Sequence, residues 1–429
     1  MRYLKPFVAL LLSSGCLRAQ STPPAPARAA SDSNPIDSIR RLPGYRPAHD
    51  TLPLLSDARI ATLPAAERAA WTAYVERSRA TRARDTAAMN AELRAAGAAK
   101  MTRAAYAHDF SVEKWMTPQW FAGDSARAMG ESILSYQAPN GGWSKHVDFT
   151  KGLRARGQSY FGESTEWSWI STIDNASTTS EMEFLALLDA VRPDPRYRQA
   201  FLRGLSYLAE AQLPTGCWPQ VYPLMGSYHD AATFNDDATV HVLELMRDVA
   251  SGETAPFVPA DERARADSAL SRGVECLVNS QYVFGGQRQA WGQQHDPVTL
   301  QPVAARSYEL ESQTPQESAN ILRFLMSLRA PGPRVVTAVH AGAAWLKKTQ
   351  LHGYSYRFDT GLRAEPGAGP LWARLTELGT DRPIFSNRDG VKLYDWSQLT
   401  DRRTGYGWYT YAPANALKRY DSWSRKHPK

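Results

Sequence analysis

The sequence predicts an all-α-dominated fold, an incomplete α/α toroid: a barrel of helical hairpins with long loops and few short strands. Three observations carry this expectation. First, a unit recurs four times, in which an amphipathic helical run ends in Gln and is followed by Gly and an aromatic residue. The instances are SYQAPNGGW (Gln137, Trp143), LAEAQLPTGCW (Gln212, Trp218), LVNSQYVFGGQRQAW (Gln281, Trp291) and LKKTQLHGYSY (Gln350, Tyr354). The Gln residues stand 75, 69 and 69 positions apart, a period that fits one helical hairpin with its loops. Second, the stretches Glu181–Val191, Thr239–Ala250 and Glu317–Leu328 carry apolar residues at three- and four-residue steps, as inner partner helices must. Third, no linker interrupts the chain from residue 112 onward. An irregular helical bundle would satisfy the same pattern.

Taken in order, the elements divide the chain into four parts. Residues 1–19 read as a secretory signal: Arg2 and Lys5, then an apolar run from Phe7 to Leu12, then small residues. Cleavage after Ala19 would release a soluble form; Ser13-Ser14-Gly15-Cys16 alternatively resembles a lipoprotein box that would anchor Cys16 to an outer membrane. Residues 20–50, rich in Pro, Ala and Ser, read as a disordered tether. Residues 51–111 form an N-terminal helical extension, and 112–429 the toroid. No later apolar run approaches the twenty residues a transmembrane helix needs. The expected location is therefore secreted or periplasmic, and the expected state a monomer.

Composition narrows the partners. With 43% hydrophobic and 22% charged residues over 429 positions, the chain is neither disordered nor a polytopic membrane protein. A net charge of +7 favours anionic partners, and export argues against nucleic acid. Absence of CxxC, HExxH and P-loop patterns removes structural-zinc, zinc-protease and NTPase chemistry, and absence of GxSxG weakens a serine esterase. Cys217 and Cys276 read as buried thiols that could also pair.

In a toroid, the loops before the inner helices gather around one funnel, so chemistry is expected there. Asp174 and Asn175 precede one inner helix, where Ser180 and Glu183 suggest a capping box; Asn235, Asp236 and Asp237 precede the next. Such residues are ordinary N-caps. Their equivalent placement in the repeat also lets Asp174 and Asp236 face each other, and paired carboxylate oxygens suit Ca²⁺. Lys145, after a repeat turn, points toward the same funnel. Residues 363–411 interleave Arg363, Arg374, Arg382, Arg388, Arg402 and Arg403 with Trp372, Phe385, Tyr394, Trp396, Tyr406, Trp408 and Tyr409. Guanidinium grips carboxylate two-pronged, so such a groove suits a polymer of uronic acids, although half of these Arg read equally well as solvated surface. His229, His241 and His295 show no ligand spacing and read as structural.

The segments NGGWSKHVDF, STIDNASTTSEMEFLA, GCWPQVYPL, TFNDDATVHVLEL, WGQQHDPVTLQPVAARSYEL, PLWARLTELGTDRPIFSNRDG and DRRTGYGWY resemble, in order over residues 112–411, the family 10 pectate lyases. The resemblance implies a helical toroid whose groove binds polygalacturonate, and cleavage by Ca²⁺-dependent β-elimination to 4,5-unsaturated oligogalacturonides. It implies an Arg base, matched by Arg388 in IFSNRDG. It places Arg374 and Arg403 on substrate carboxylates, Asp174 and Asp236 at the calcium centre, and Asn175 beside them. Lys145 and Arg306 are carried as further substrate contacts. The chain departs from the family pattern at Ser144 and His146, at Gly292, and in ELESQTPQES. Two other readings remain open: a terpenoid-cyclase-like toroid enzyme, and a pectin-binding protein without catalysis.

Overall fold

The computed structural model describes residues 54–165 and 170–428. The expected signal and the whole of the expected tether fall outside the described residues. Nine long helices organise the rest: α1 (Ala65–Ala95), α2 (Asp124–Ser135), α3 (Thr179–Val191), α4 (Pro195–Ala211), α5 (Ala238–Ser251), α6 (Ala260–Ser280), α7 (Pro315–Leu325), α8 (Pro333–Lys348) and α9 (Ala412–Trp423). Helices α3, α5, α7 and α9 pack in sequence as an inner arc, while α2, α4, α6 and α8 form an outer arc around it. The incomplete α/α toroid is therefore borne out.

Each repeat is closed by the same side-chain clasp. The Gln137 amide donates to the carbonyls of Gly141 (2.7 Å) and Ala200 (2.8 Å). Gln212 donates to Gly216 (2.8 Å) and Ala269 (2.9 Å), and Gln281 to Gln289 and Ala338, both at 2.9 Å. The first bond holds the turn; the second reaches the outer helix of the next unit. The indole N–H of the repeat Trp returns to the carbonyl four residues before the Gln: Trp143 to Ile133, Trp218 to Leu208 and Trp291 to Leu277. These rings are wholly buried, so an unpaired indole N–H there would be costly.

The fourth repeat corrects the sequence reading. The ring that donates to Leu346, four residues before Gln350, is Trp372 at 2.8 Å. Tyr354 instead opens a two-stranded hairpin (Tyr354–Arg357 with Gly361–Ala364) inserted between the Gln and its Trp, and is 43% exposed. Outer helices approach inner ones through glycines one period apart. A Cβ on Gly204 would meet the Met182 sulfur at 2.5 Å, and one on Gly273 the Leu243 side chain of α5 and, at 2.8 Å, the Trp218 ring.

Two further differences have local causes. Cys217 and Cys276 are disulfide-bonded, with Cα atoms 5.4 Å apart, tying the second repeat turn to α6. Helix α3 begins at Thr179, so Ser180 and Glu183 lie inside it and form no capping box. Thr178 takes the boundary position: its hydroxyl donates to the Thr172 carbonyl (2.8 Å) and accepts from the Trp143 N–H (3.0 Å). The extension packs tightly on the toroid. Tyr74 of α1 donates to the Ala211 carbonyl (2.9 Å), Asp85 accepts from Asn140 (2.9 Å), and Ser78 accepts from the Leu224 N–H (2.8 Å). A second, smaller core of Tyr308, Leu371, Leu375, Phe385, Tyr406 and Trp408 underlies the Arg-rich stretch.

Candidate active site

Two short 3₁₀ turns, Asp174–Ala176 and Asn235–Asp237, pack against each other at the N-termini of α3 and α5. Short strands fix both: Ser171–Thr172 pairs with Val221–Tyr222, and Ala232–Thr233 with Gln294–His295. Asn175, Asp236 and Asp237 adopt left-handed φ of 52°, 48° and 60°, a region Asn and Asp tolerate better than most residues. The structure thus brings Asp174 and Asp236 together.

Asp174 is buried, and Lys145 binds its Oδ2 while lying 3.4 Å from the Asn175 side-chain oxygen. The other Asp174 oxygen, Oδ1, is buried without a hydrogen-bond partner. Asp236 Oδ2 accepts from the Asn235 amide at 2.6 Å, and Gln293 bridges Asn235 (2.8 Å) to Glu317 (3.1 Å). Desolvation in the cleft and the neighbouring Asp174 charge push the Asp236 carboxyl up to about 6, against the pull of Arg374. Burial raises Glu317 as well. Burial also lifts Asp237 to about 6, although Asn320 binds both its oxygens at 2.7 Å. Sequence reasoning missed Glu317; the signal available was its place in the first turn of an inner helix.

The cationic side stands on one anionic foundation. Burial would raise the Glu309 carboxyl, but Arg306 overturns this and holds it near about 2. Arg306 donates through Nε (2.7 Å) and Nη2 (2.5 Å), and the Tyr406 hydroxyl donates to the same carboxylate at 3.0 Å. Arg374 lies over the Tyr406 ring at 4.8 Å. Desolvation opposes its charge, but Tyr406, Glu317, Glu309 and Asp236 together keep it protonated far above neutrality. Arg388 is anchored by its backbone: Ser307 donates to its carbonyl at 2.8 Å and its N–H donates to Asp401 at 3.1 Å. Its guanidinium engages no hydrogen bond or ion pair among the described residues.

Arg403 is where the structure departs from expectation. Its guanidinium donates to the carbonyls of Leu399 (2.9 Å) and Ser397 (2.5 Å) and lies over Trp396, on the exposed side. Arg402 turns inward instead, through a left-handed φ of 51°. It donates to the Tyr308 hydroxyl at 2.8 Å and lies over the rings of Tyr308 (4.4 Å) and Tyr406 (4.8 Å). In adjacent arginines the backbone decides which faces the cleft, and sequence does not reveal it. His295 is structural, bridging Gly292 and Leu300.

Between the two sides lies a cleft of about 390 Å³, lined among others by Asp236, Asp237, Glu317, Arg374 and Tyr409. Its walls are charged, so the apolar cavity a cyclase requires is not built here. A carboxylate-bearing ring entering it would meet the Arg374 guanidinium on one side and acidic oxygens on the other. The acidic wall also fits a divalent cation. Asp174 offers a buried, unpartnered oxygen, and Asp236 sits close enough to feel its charge. No group of three or more His, Cys, Asp or Glu suited to a metal occurs among the described residues, so such a pocket needs ligands from elsewhere.

The model of the family described as pectic acid lyase matches residues 137–417; residues 54–136, including α1, lie before it. A family 10 polysaccharide lyase from Cellvibrio cellulosa is 32% identical, with a TM-score of 0.63, over 73% of this chain and 98% of its own. A mutant of that enzyme solved in complex with trigalacturonic acid gives 32% identity and a TM-score of 0.62 over 72% and 97%. Comparison with curated protein sequences gives no match. The resemblance noted in the sequence is borne out: this chain belongs to the pectic acid lyase family and is a polysaccharide lyase.

Proposed function

We propose that the protein cleaves polygalacturonate by calcium-dependent β-elimination, releasing 4,5-unsaturated oligogalacturonides. The observation that supports this best is the facing of the Asp174–Asp236 pair and Arg374, each within electrostatic reach of Asp236 across one cleft. Elimination removes the C5 proton, which lies α to a carboxylate, and expels the oxygen at C4. Negative charge grows on that carboxylate, and cations fixed around it stabilise the transition state. Arg374 is placed to neutralise it, with Arg306 and Arg402 fixing the neighbouring uronates. Lys145 and Asn175 hold the substrate beside Asp174. When bound at Asp174 and Asp236 together with substrate oxygens, Ca²⁺ would add Lewis-acid neutralisation of the same carboxylate.

The proton acceptor is an arginine, and the Arg388 guanidinium engages no hydrogen bond or ion pair among the described residues. A guanidinium releases its proton only at strongly alkaline pH, so surrounding cations must favour its neutral form. A second reading is favoured by a specific observation: Arg306, not Arg388, shares the neighbours Tyr228 and His229 with Asp174. The test is a pair of variants on polygalacturonate, followed by absorbance of the unsaturated product. If Arg388→Ala abolishes product and Arg306→Lys retains it, Arg388 is the base; the reverse result assigns Arg306. Chelation with EDTA should stop turnover and Ca²⁺ should restore it. Binding of polygalacturonate with no product in the wild type would make the protein a pectin-binding relative.

The leader and the Cys217–Cys276 disulfide support an oxidising, extracytoplasmic location, secreted or periplasmic. No helix among the described residues is long and apolar enough to cross a membrane.

A further inference from the structure

β-Elimination has a second proton to account for: the glycosidic oxygen leaving C4 must acquire one. We propose that the Tyr228 hydroxyl supplies it; this rests on the lyase reading above. Tyr228 sits in the loop between the strands Val221–Tyr222 and Ala232–Thr233, beside the Asp174 segment. The strand pairing of Ser171–Thr172 with Val221–Tyr222 and the Ile173 N–H bond to the Gln220 carbonyl (3.2 Å) put it there. The loop is rigidly built. The Asp230 carboxylate accepts from the N–H groups of Met225 and Gly226, both at 2.7 Å, and the His229 carbonyl accepts from Gln220 at 3.0 Å. The Tyr228 ring stacks on His229 with centroids 3.9 Å apart.

Of the three tyrosines gathered around Arg306 and Glu309, namely Tyr228, Tyr308 and Tyr406, Tyr228 differs in its hydroxyl. Tyr308 accepts from Arg402, and Tyr406 donates to Glu309. The Tyr228 hydroxyl has no hydrogen-bond partner among the described residues, although its phenol lies within reach of the charges of Arg306, Glu309 and Asp174. The strand pairing ties its loop to the Asp174 segment, on the acidic side of the site. Burial keeps the phenol protonated, so the donor form is the resting form.

The step balances without a co-reactant. The base takes the C5 proton, the C5–H electron pair becomes the second bond of C4=C5, and the C4–O bond breaks. The oxygen takes the phenolic proton and leaves as a hemiacetal hydroxyl. The phenolate then recovers a proton from water, and the base loses its own to water.

Tyr228→Phe in the full chain tests this on polygalacturonate with Ca²⁺. The expected result is a kcat lowered about 10²-fold or more, the usual worth of a proton donor. Melting temperature and calorimetric binding of trigalacturonate should match the wild type. A galacturonide bearing fluoride at C4, whose leaving group needs little proton assistance, should be eliminated by the variant at nearly the wild-type rate. Wild-type turnover of polygalacturonate by the variant, or equal loss on both substrates, overturns the assignment and leaves the lyase reading standing. If the wild type binds trigalacturonate but forms no unsaturated product, the lyase reading fails and the donor falls with it.

Discussion

Gln212→Ala measures how much of the fold depends on the repeat clasp. The substitution removes one amide that serves two buried carbonyls, Gly216 at 2.8 Å and Ala269 at 2.9 Å. Stranding a buried acceptor costs about 1–3 kcal/mol, so two cost roughly 2–6 kcal/mol, and a central value of about 4 kcal/mol is expected. Arg272, which donates to the same side chain, is exposed and turns to water, adding little. At roughly 2–4 °C per kcal/mol for a large domain, the melting temperature should fall by about 8–16 °C in calorimetry at fixed scan rate. The molecule carries its own control. Gln350 occupies the equivalent position in the fourth repeat, but its side chain has no hydrogen bond among the described residues, so Gln350→Ala should shift stability by less than about 0.5 kcal/mol. Equal shifts for the two variants, or a loss below about 1 kcal/mol at Gln212, would refute the clasp argument.

Other outcomes follow from the site and its frame. The Asp236 carboxyl, raised to about 6 when folded from about 4 when unfolded, makes the metal-free protein most stable below the unfolded value. That contribution is lost as pH rises toward 6. Asp236→Asn should remove this fall, a change of about 1 kcal/mol or less because the residue meets cleft solvent, as melting curves from pH 4 to 7 would show; a variant still losing the same stability contradicts it. Reduction of Cys217–Cys276 opens a loop of 59 residues and should cost about 4 kcal/mol on the chain-entropy account, read from urea curves with and without reductant. Arg402→Ala should lower kcat/KM on polygalacturonate at least tenfold, while Arg403→Ala should change it less than threefold; the opposite ranking would return Arg403 to the cleft.

The repeat was legible because its Gln, Gly and Trp each answer to a local need that recurs every turn of the design: an amide for two carbonyls, a left-handed corner, and a ring with a polar handle. The inner helices were legible through their apolar spacing. The fourth ring was not, because a hairpin of exposed aromatics imitates the expected pattern while the true partner, Trp372, comes 22 residues after Gln350. Placement of Asp174 and Asp236 followed from their equivalent repeat positions. Arg402 against Arg403 could not, since one left-handed residue exchanges the faces of neighbours. Glu317 and Tyr228 were passed over because a buried carboxylate and an unengaged hydroxyl become visible only once their surroundings are known.

Left-handed residues crowd the approach to both inner helices: Asn175, Ala176 and Thr178 before one, Asp236 and Asp237 before the other. For β-branched Thr and for Ala this conformation is strained by about 1–3 kcal/mol each. The pocket is thus a sprung region, kept cocked by the tightly packed helices behind it. Weakening those helices from a distance, by heat or a cavity, should let these corners slacken before the body melts, so catalysis would fail at a lower temperature than the fold.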